Sequence, residues 1–290
     1  MKLKQKLGMG YLRAFIRMTA LVSKEKAAKQ ALRLFSTPMQ KPKIADGPLF
    51  HKAEKLLLSL KGHRLQGYRW INRKAISLNA EAELPRKVLI LHGFESNALK
   101  FSDFIQGFLK KGHEVYGLDA PAHGNSGGKQ INLPLYVEAI RVFCEQYGPM
   151  NSYLAHSLGG LAICHYLESV PTSPDTRLVL IAPATEARTA ADQFSQLLGL
   201  DEETKEIFER LMIEKIGHPP DFFSVRRTLH EIKANIRWFH DRLDRITPIR
   251  DVKPVIEDSL PNVEIILTEG LGHRRIYRDE AVIKQAIEFI

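Results

Sequence analysis

Hydrophobic and polar positions repeat with two different periods along this chain, and the change from one to the other marks its organisation. From Glu54 onward, Leu56–Leu60 and Leu65–Ile71 alternate with a period of two around a turn at Gly62, which predicts an antiparallel pair of strands. The alternation then gives way to Lys87-Val88-Leu89-Ile90-Leu91, a continuous apolar run. Helical spacing over 98–111, a strand at Glu114–Leu118, a helix over 132–147 and a strand over 150–156 follow it. Arg177–Ala182, Ile236–His240 and Val263–Leu267 continue the strands, with helices predicted near 249–259 and 278–289. Unbroken apolar strands separated by helices predict a mostly parallel sheet covered on both faces.

Between Pro183 and Ile232 the alternation stops, and a pair of helices is expected instead. Asp201, Glu202 and Glu203 start one of them, Ile207, Phe208, Leu211, Met212 and Ile216 form its apolar side, and Gly217 with Pro219 ends it. This insert, at about 185–232, leaves and returns at the carboxyl ends of strands. It is therefore expected to form a helical lid over the edge where open α/β sheets hold their ligands.

The first 50 residues follow another pattern. Leu12, Phe15, Ile16 and Thr19, then Ala28, Ala31, Leu32 and Phe35, recur three and four residues apart and predict two amphipathic helices before Thr37-Pro38. Residues 39–50 read as a proline-punctuated connector. The expected organisation is thus an N-terminal arm over 1–50 and one α/β domain over 51–290, for which 290 residues at 44% hydrophobic content are sufficient.

The net charge of +9 changes this picture only once it is located. Residues 1–43 carry 11 of the 42 Lys and Arg and only Glu25 of the 33 acidic residues, leaving a body of 31 positive and 32 negative side chains. A neutral body argues against a duplex-binding face, so no nucleic-acid partner is expected. The arm's apolar stripes either pack on the domain or leave its basic faces free to touch an anionic membrane. Arg13 and Arg17 interrupt the apolar stretch a signal peptide would need, and no segment reads as a membrane span. Two cysteines, Cys144 and Cys164, make no disulfide framework. A cytoplasmic setting is expected, with the arm a candidate for peripheral membrane contact.

The chemistry centres on Tyr153-Leu154-Ala155-His156-Ser157-Leu158-Gly159-Gly160, an apolar strand that ends in a serine among small residues and runs into helix-forming sequence. A serine at such a turn is lifted clear of the sheet, and the Leu158 amide at the start of the helix points where an oxyanion would form. His92-Gly93-Phe94 follows the first long parallel strand, so the Phe94 amide is expected beside that turn. Later strand ends offer Asp244, within Asp244-Arg245-Ile246-Thr247-Pro248, and His273, within Gly270-Leu271-Gly272-His273. Asp241 is a second carboxylate close by. It directly follows its strand, whereas Asp244 lies in the loop that leans toward His273, so reach favours Asp244.

These segments, in the order Ser, Asp, His, resemble the α/β-hydrolase superfamily, and among its members the lysophospholipase-like serine esterases. Asp119-Ala120-Pro121-Ala122-His123-Gly124-Asn125-Ser126-Gly127 adds a loop like theirs, and the likeness runs over about residues 54–290. Ala155 departs from the pattern by standing in place of a glycine. The resemblance implies Ser157 as nucleophile, His273 as base, Asp244 as its orienting acid, and the Phe94 and Leu158 amides as the oxyanion hole. It implies cleavage of a small-molecule or lipid ester, or a thioester, through an acyl-enzyme, with no cofactor and no metal. Acyl transfer to an alcohol would use the same residues, and a catalytically silent binding module is the alternative of a different class. His92 and His123 are expected to serve loop geometry, His156 to pack beside the nucleophile, and His165 and His240 to be neutral core or rim residues.

Overall fold

The computed structural model describes residues 3–40, 42, 47–73, 75 and 85–290. Lys41 and residues 43–46 of the expected connector lie outside the described residues. Eight strands form one sheet in the order β1-β2-β4-β3-β5-β6-β7-β8. They are β1 Glu54–Leu60, β2 His63–Trp70, β3 Lys87–Leu91, β4 Glu114–Leu118, β5 Ser152–His156, β6 Arg177–Ile181, β7 Asn235–Asp241 and β8 Val263–Thr268.

The first two strands form the expected hairpin, with Leu58 opposite Leu65. Lys61 and Gly62 both take positive φ (48° and 76°), the handedness that a two-residue hairpin turn needs. β2 pairs antiparallel with β4, and β3 through β8 are parallel. Their side chains divide between the two faces. Leu89, Leu91, Tyr153, Ala155, Leu178 and Leu180 pack under helices Leu133–Tyr147 and Leu158–Leu167. Val88, Ile90, Leu154, Val179 and Ile181 face helices Ser102–Lys110 and Glu280–Phe289. Burial on both faces explains why these strands read as continuous apolar runs.

The insert after β6 holds more than the expected pair of helices. Helices Ala187–Leu198 and Glu202–Ile216 are followed by a 3₁₀ turn and the short helix Val225–Leu229. The start and stop signals of the second helix act as read: the Asp201 side chain accepts from the Thr204 amide at 3.0 Å, and Gly217 ends it at φ +83°.

The arm forms helices α1 (Leu3–Val22) and α2 (Lys24–Ser36), which lie on this insert. Ala28 and Ala31 of α2 meet Ala191, Leu198, Phe208 and Met212, while Phe35 packs against Phe194 at 5.0 Å between ring centroids. Ile16 and Ala20 of α1 turn inward with Ala27, and Lys24 reaches Asp201 at 2.7 Å. Phe15 departs from its expected stripe. With Ile16 and Ala20 inward it faces out, 46% exposed, in a row with Tyr11, Met18 and Val22 at 75, 65 and 83%. The helical repeat of 3.6 residues cannot bury both rows against a single partner surface. No described helix is long and apolar enough to cross a membrane.

Candidate active site

Ser157 sits between β5 and its following helix at φ +54°, ψ −121°, a backbone conformation that L-residues rarely adopt. Several contacts hold it there. Its amide donates to the Ile181 carbonyl at 3.2 Å, and its own carbonyl accepts from Gly160 and Ala184 at 2.9 and 3.0 Å. The following glycines leave no alternative: a Cβ at Gly159 would stand 2.7 Å from the His92 carbonyl oxygen, and one at Gly160 would stand 2.6 Å from Pro183 Cβ. The helix is thereby drawn onto the end of β3, and the serine Oγ is turned outward. Ala155, in place of a glycine, is fully buried in register with Leu91 and Leu180, where a methyl group fits.

Three strand ends converge on that hydroxyl. His273 follows β8, and its Nε2 lies 2.9 Å from Ser157 Oγ. Its Nδ1 lies 2.8 Å from Asp244 Oδ2, in the loop after β7. The Asp244 carboxylate is itself fully engaged. Oδ1 accepts from the Ile246 and Thr247 amides at 2.8 and 3.0 Å, and Oδ2 accepts from the Thr247 hydroxyl at 2.8 Å. Burial works against its charge, but the hydrogen bond and attraction of His273 and the two amides outweigh burial and hold the carboxyl below its ordinary range.

The loop after β3 completes the arrangement. A Cβ on Gly93 would stand 2.8 Å from Ser157 Cβ, so a glycine there lets the chain carrying the Phe94 amide lie against the serine. The Leu158 amide stands at the first position of its helix, where it has no intrahelical acceptor. Behind the loop, the His92 ring accepts from the Ala120 amide at 2.9 Å through Nε2 and donates to the Gly93 carbonyl at 2.7 Å through Nδ1. Burial depresses that imidazole to about 4, which keeps it neutral and able to do both.

Comparison with known proteins supplies the family. The model of the family described as serine aminopeptidase, S33, an α/β-hydrolase family, matches residues 82–234, more than half of the chain. The chain belongs to that family. The matched stretch contains Phe94, Ser157 and Leu158, while Asp244 and His273 lie beyond it and are joined to them by the contacts above. A monoacylglycerol lipase of Mycolicibacterium smegmatis is 33% identical over 112 residues, covering 36% of this chain. The chain thus spans 40% of the length of that curated relative. Among solved structures, the Pyrococcus furiosus esterase Pf2001 superposes with a TM-score of 0.62 at 17% identity, over 87% of this chain and 98% of that one. Est1E from Butyrivibrio proteoclasticus, solved with ferulic acid, gives 0.63 at 16% identity over 81 and 97%. Mouse α/β-hydrolase domain-containing protein 10 gives 0.56 at 19% over 81 and 96%. At such identities the structural likeness speaks for the fold, which is that of the α/β hydrolases.

Within this S33 member, several site residues were not legible as such in the sequence. Thr247 buttresses Asp244 and lies 3.3 Å from His273 Nδ1; its place three residues after an aspartate in a turn was the available signal. Asp119 is fully buried, accepts from the Ala98 and Asn125 amides at 3.0 and 2.9 Å and from Tyr68 at 3.1 Å, and is pushed up by burial to about 6. It ties the loop over 119–127 to the residues behind Phe94. Asp241 does not reach His273. Its carboxylate accepts from Leu243, Thr268 Oγ1 and Leu271 at 3.0, 2.9 and 2.9 Å, and so fixes the loop that carries the histidine.

The other histidines take the expected supporting places. His156 donates Nε2–H to the His273 carbonyl at 3.1 Å and is depressed by burial to about 3. His240 donates to the Thr247 carbonyl at 2.8 Å and is lowered by burial, as is His165 beside Glu168. Among the described residues, no group of three or more His, Cys, Asp or Glu is arranged to hold a metal ion.

Proposed function

We propose that this S33 hydrolase cleaves carboxylic esters or thioesters through an acyl-enzyme on Ser157. The observation that carries the reading is the unbroken relay from Ser157 Oγ through His273 to Asp244, with both links under 3 Å. His273 Nε2 takes the Ser157 proton as Oγ attacks the acyl carbon, and the Phe94 and Leu158 amides receive the tetrahedral oxyanion. The imidazolium returns the proton to the departing alcohol or thiol. A water then repeats the sequence on the acyl-enzyme, releasing the acid and restoring the serine. Asp244 keeps the Nδ1 proton in place and stabilises the imidazolium.

An apolar acyl group suits the rim, where Phe94, Leu243 and Ile246 are exposed on the loops that bear the oxyanion amide and the acid. A lipid ester is the substrate class we favour. We further propose that α1 meets anionic membrane through its outward row of Tyr11, Phe15, Met18 and Val22. The central test is a fluorophosphonate probe and the Ser157→Ala variant. The probe is expected on Ser157, and the variant is expected to lose about 10⁶-fold in turnover, as when a triad nucleophile is removed. Unchanged turnover would end the assignment.

A further inference from the structure

Phe94 is followed by Glu95, a residue held at φ +54°. An L-residue is disfavoured there and glycine is not, so the glutamate must contribute something a glycine could not. Its side chain leaves the catalytic loop and reaches the arm: Oε1 accepts from both the Met39 and Gln40 amides, at 2.9 and 3.0 Å. Two residues on, Asn97 Nδ2 donates to the Pro42 carbonyl at 3.3 Å. The loop's outer ends are anchored in the body, His92 by Ala120 and Ala98 by Asp119. Its middle, which bears the Phe94 amide, is tied instead to the stretch that follows α2. The end of α2, from which that stretch departs, is itself fixed, since the Ser36 carbonyl accepts from Ile131 at 2.8 Å.

From this geometry we infer that Glu95 is a positioning residue, which clamps the oxyanion loop to the arm and makes Met39, Gln40 and Pro42 a supporting wall of the active site. The inference rests on the Phe94 amide serving the oxyanion as proposed above. An oxyanion donor acts through its aim, and one donor removed outright costs about 10²–10³ in turnover, so a donor left in place but loosened should cost about tenfold. The loss should fall on kcat, because the amide meets full charge only in the transition state.

Two substitutions separate this role from a merely structural one. Glu95→Gly relieves the backbone and abolishes the clamp; Glu95→Gln keeps an oxygen able to accept both amides. Hydrolysis of 4-nitrophenyl butyrate is followed for both, with thermal unfolding and with Ser157→Ala as a control. Glu95→Gly is expected to unfold at the wild-type temperature or above it while kcat falls about tenfold at unchanged KM, and Glu95→Gln to stay within about threefold of wild type. Wild-type kcat in Glu95→Gly, a change confined to KM, or a Glu95→Gln variant as impaired as Glu95→Gly would each overturn the clamp while Ser157→Ala remains inactive. Activity surviving in Ser157→Ala would instead overturn the underlying enzymatic reading.

Discussion

Asp244→Asn is the substitution whose consequence follows most directly from the distances. In the native chain Asp244 Oδ2 accepts from His273 Nδ1 at 2.8 Å, which leaves Nε2 without a proton and ready to receive that of Ser157, 2.9 Å away. An asparagine would keep its oxygen on the Ile246 and Thr247 amides, now held at 2.8 and 3.0 Å by Oδ1, because those donors cannot face an NH₂ group. Its NH₂ would then point at Nδ1 and donate to it. The imidazole proton moves to Nε2, and the base faces the nucleophile with a donor where it needs an acceptor. In the worked serine-protease case the same change costs about 10⁴ in turnover. Here Thr247 Oγ1 lies 3.3 Å from His273 Nδ1 and offers a substitute acceptor, so the expected floor is about a hundredfold, equivalent to about 2.7 kcal/mol of transition-state stabilisation. Asp241→Asn is the matched control. It loses bonds to Leu271 or Thr268 and is expected to reduce stability by about 1–3 kcal/mol while kcat changes less than about tenfold. Steady-state hydrolysis of one ester by both variants, with circular dichroism to establish folding, decides it. The opposite ranking would move the acid to Asp241 and refute the tautomer argument.

Stability should fall as pH is lowered from about 6.5 toward 5. His92 and His156 are depressed from 6.5 to about 4 and 3, and His165 and His240 are lowered as well, so over this range the unfolded chain binds protons that the folded chain refuses; Asp119, raised to about 6, and Glu186 and Asp251, also raised by burial, run the other way but are fewer. A urea midpoint that stays level or rises on acidification between these values would contradict the neutral, buried state of the two histidines. For the arm, the full chain should sediment with phosphatidylglycerol vesicles at low salt and be released by added salt, each engaged cation contributing about 1 kcal/mol. Phe15→Glu with Met18→Glu should weaken that binding, and equal binding by the double variant would exclude α1 as the membrane face.

How much of this was legible in the sequence depends on whether a signal was local. β3 through β6 announced themselves because burial on both faces requires unbroken apolar runs, and Asp201 and Gly217 marked the ends of their helix because caps depend on one residue's own chemistry. Ser157, Asp244 and His273 could be paired because each follows a strand whose order in the sheet is constrained. The orientation of α1 was not legible: Leu12, Phe15, Ile16 and Thr19 satisfy one helical stripe, yet which flank turns inward depends on Leu200 and Ala27, far apart in the chain. The first helix of the insert carries Arg188 and Asp192 within its apolar pattern, since these pair with Asp221, Glu209 and Lys205 across the insert. Glu95 gave no sign at all. Its partners are backbone amides 55 and 56 residues away, and an amide leaves no trace in residue type.

The conformation of Ser157 also bears on when the chain becomes reactive during folding. Its φ of +54° is not a property of the local sequence; it is imposed by Gly159 against the carbonyls at the end of β3, by Ile181 at the end of β6 and by Ala184 beyond it. A chain that has made β5 and its helix but has not yet seated them has nothing to oppose about 1–3 kcal/mol of strain, and the serine relaxes to an ordinary negative φ. Its hydroxyl then points elsewhere, and its partner His273, 116 residues later, has not arrived. On the mechanism proposed for Ser157, hydrolysis therefore switches on only when the sheet is complete from β3 to β8.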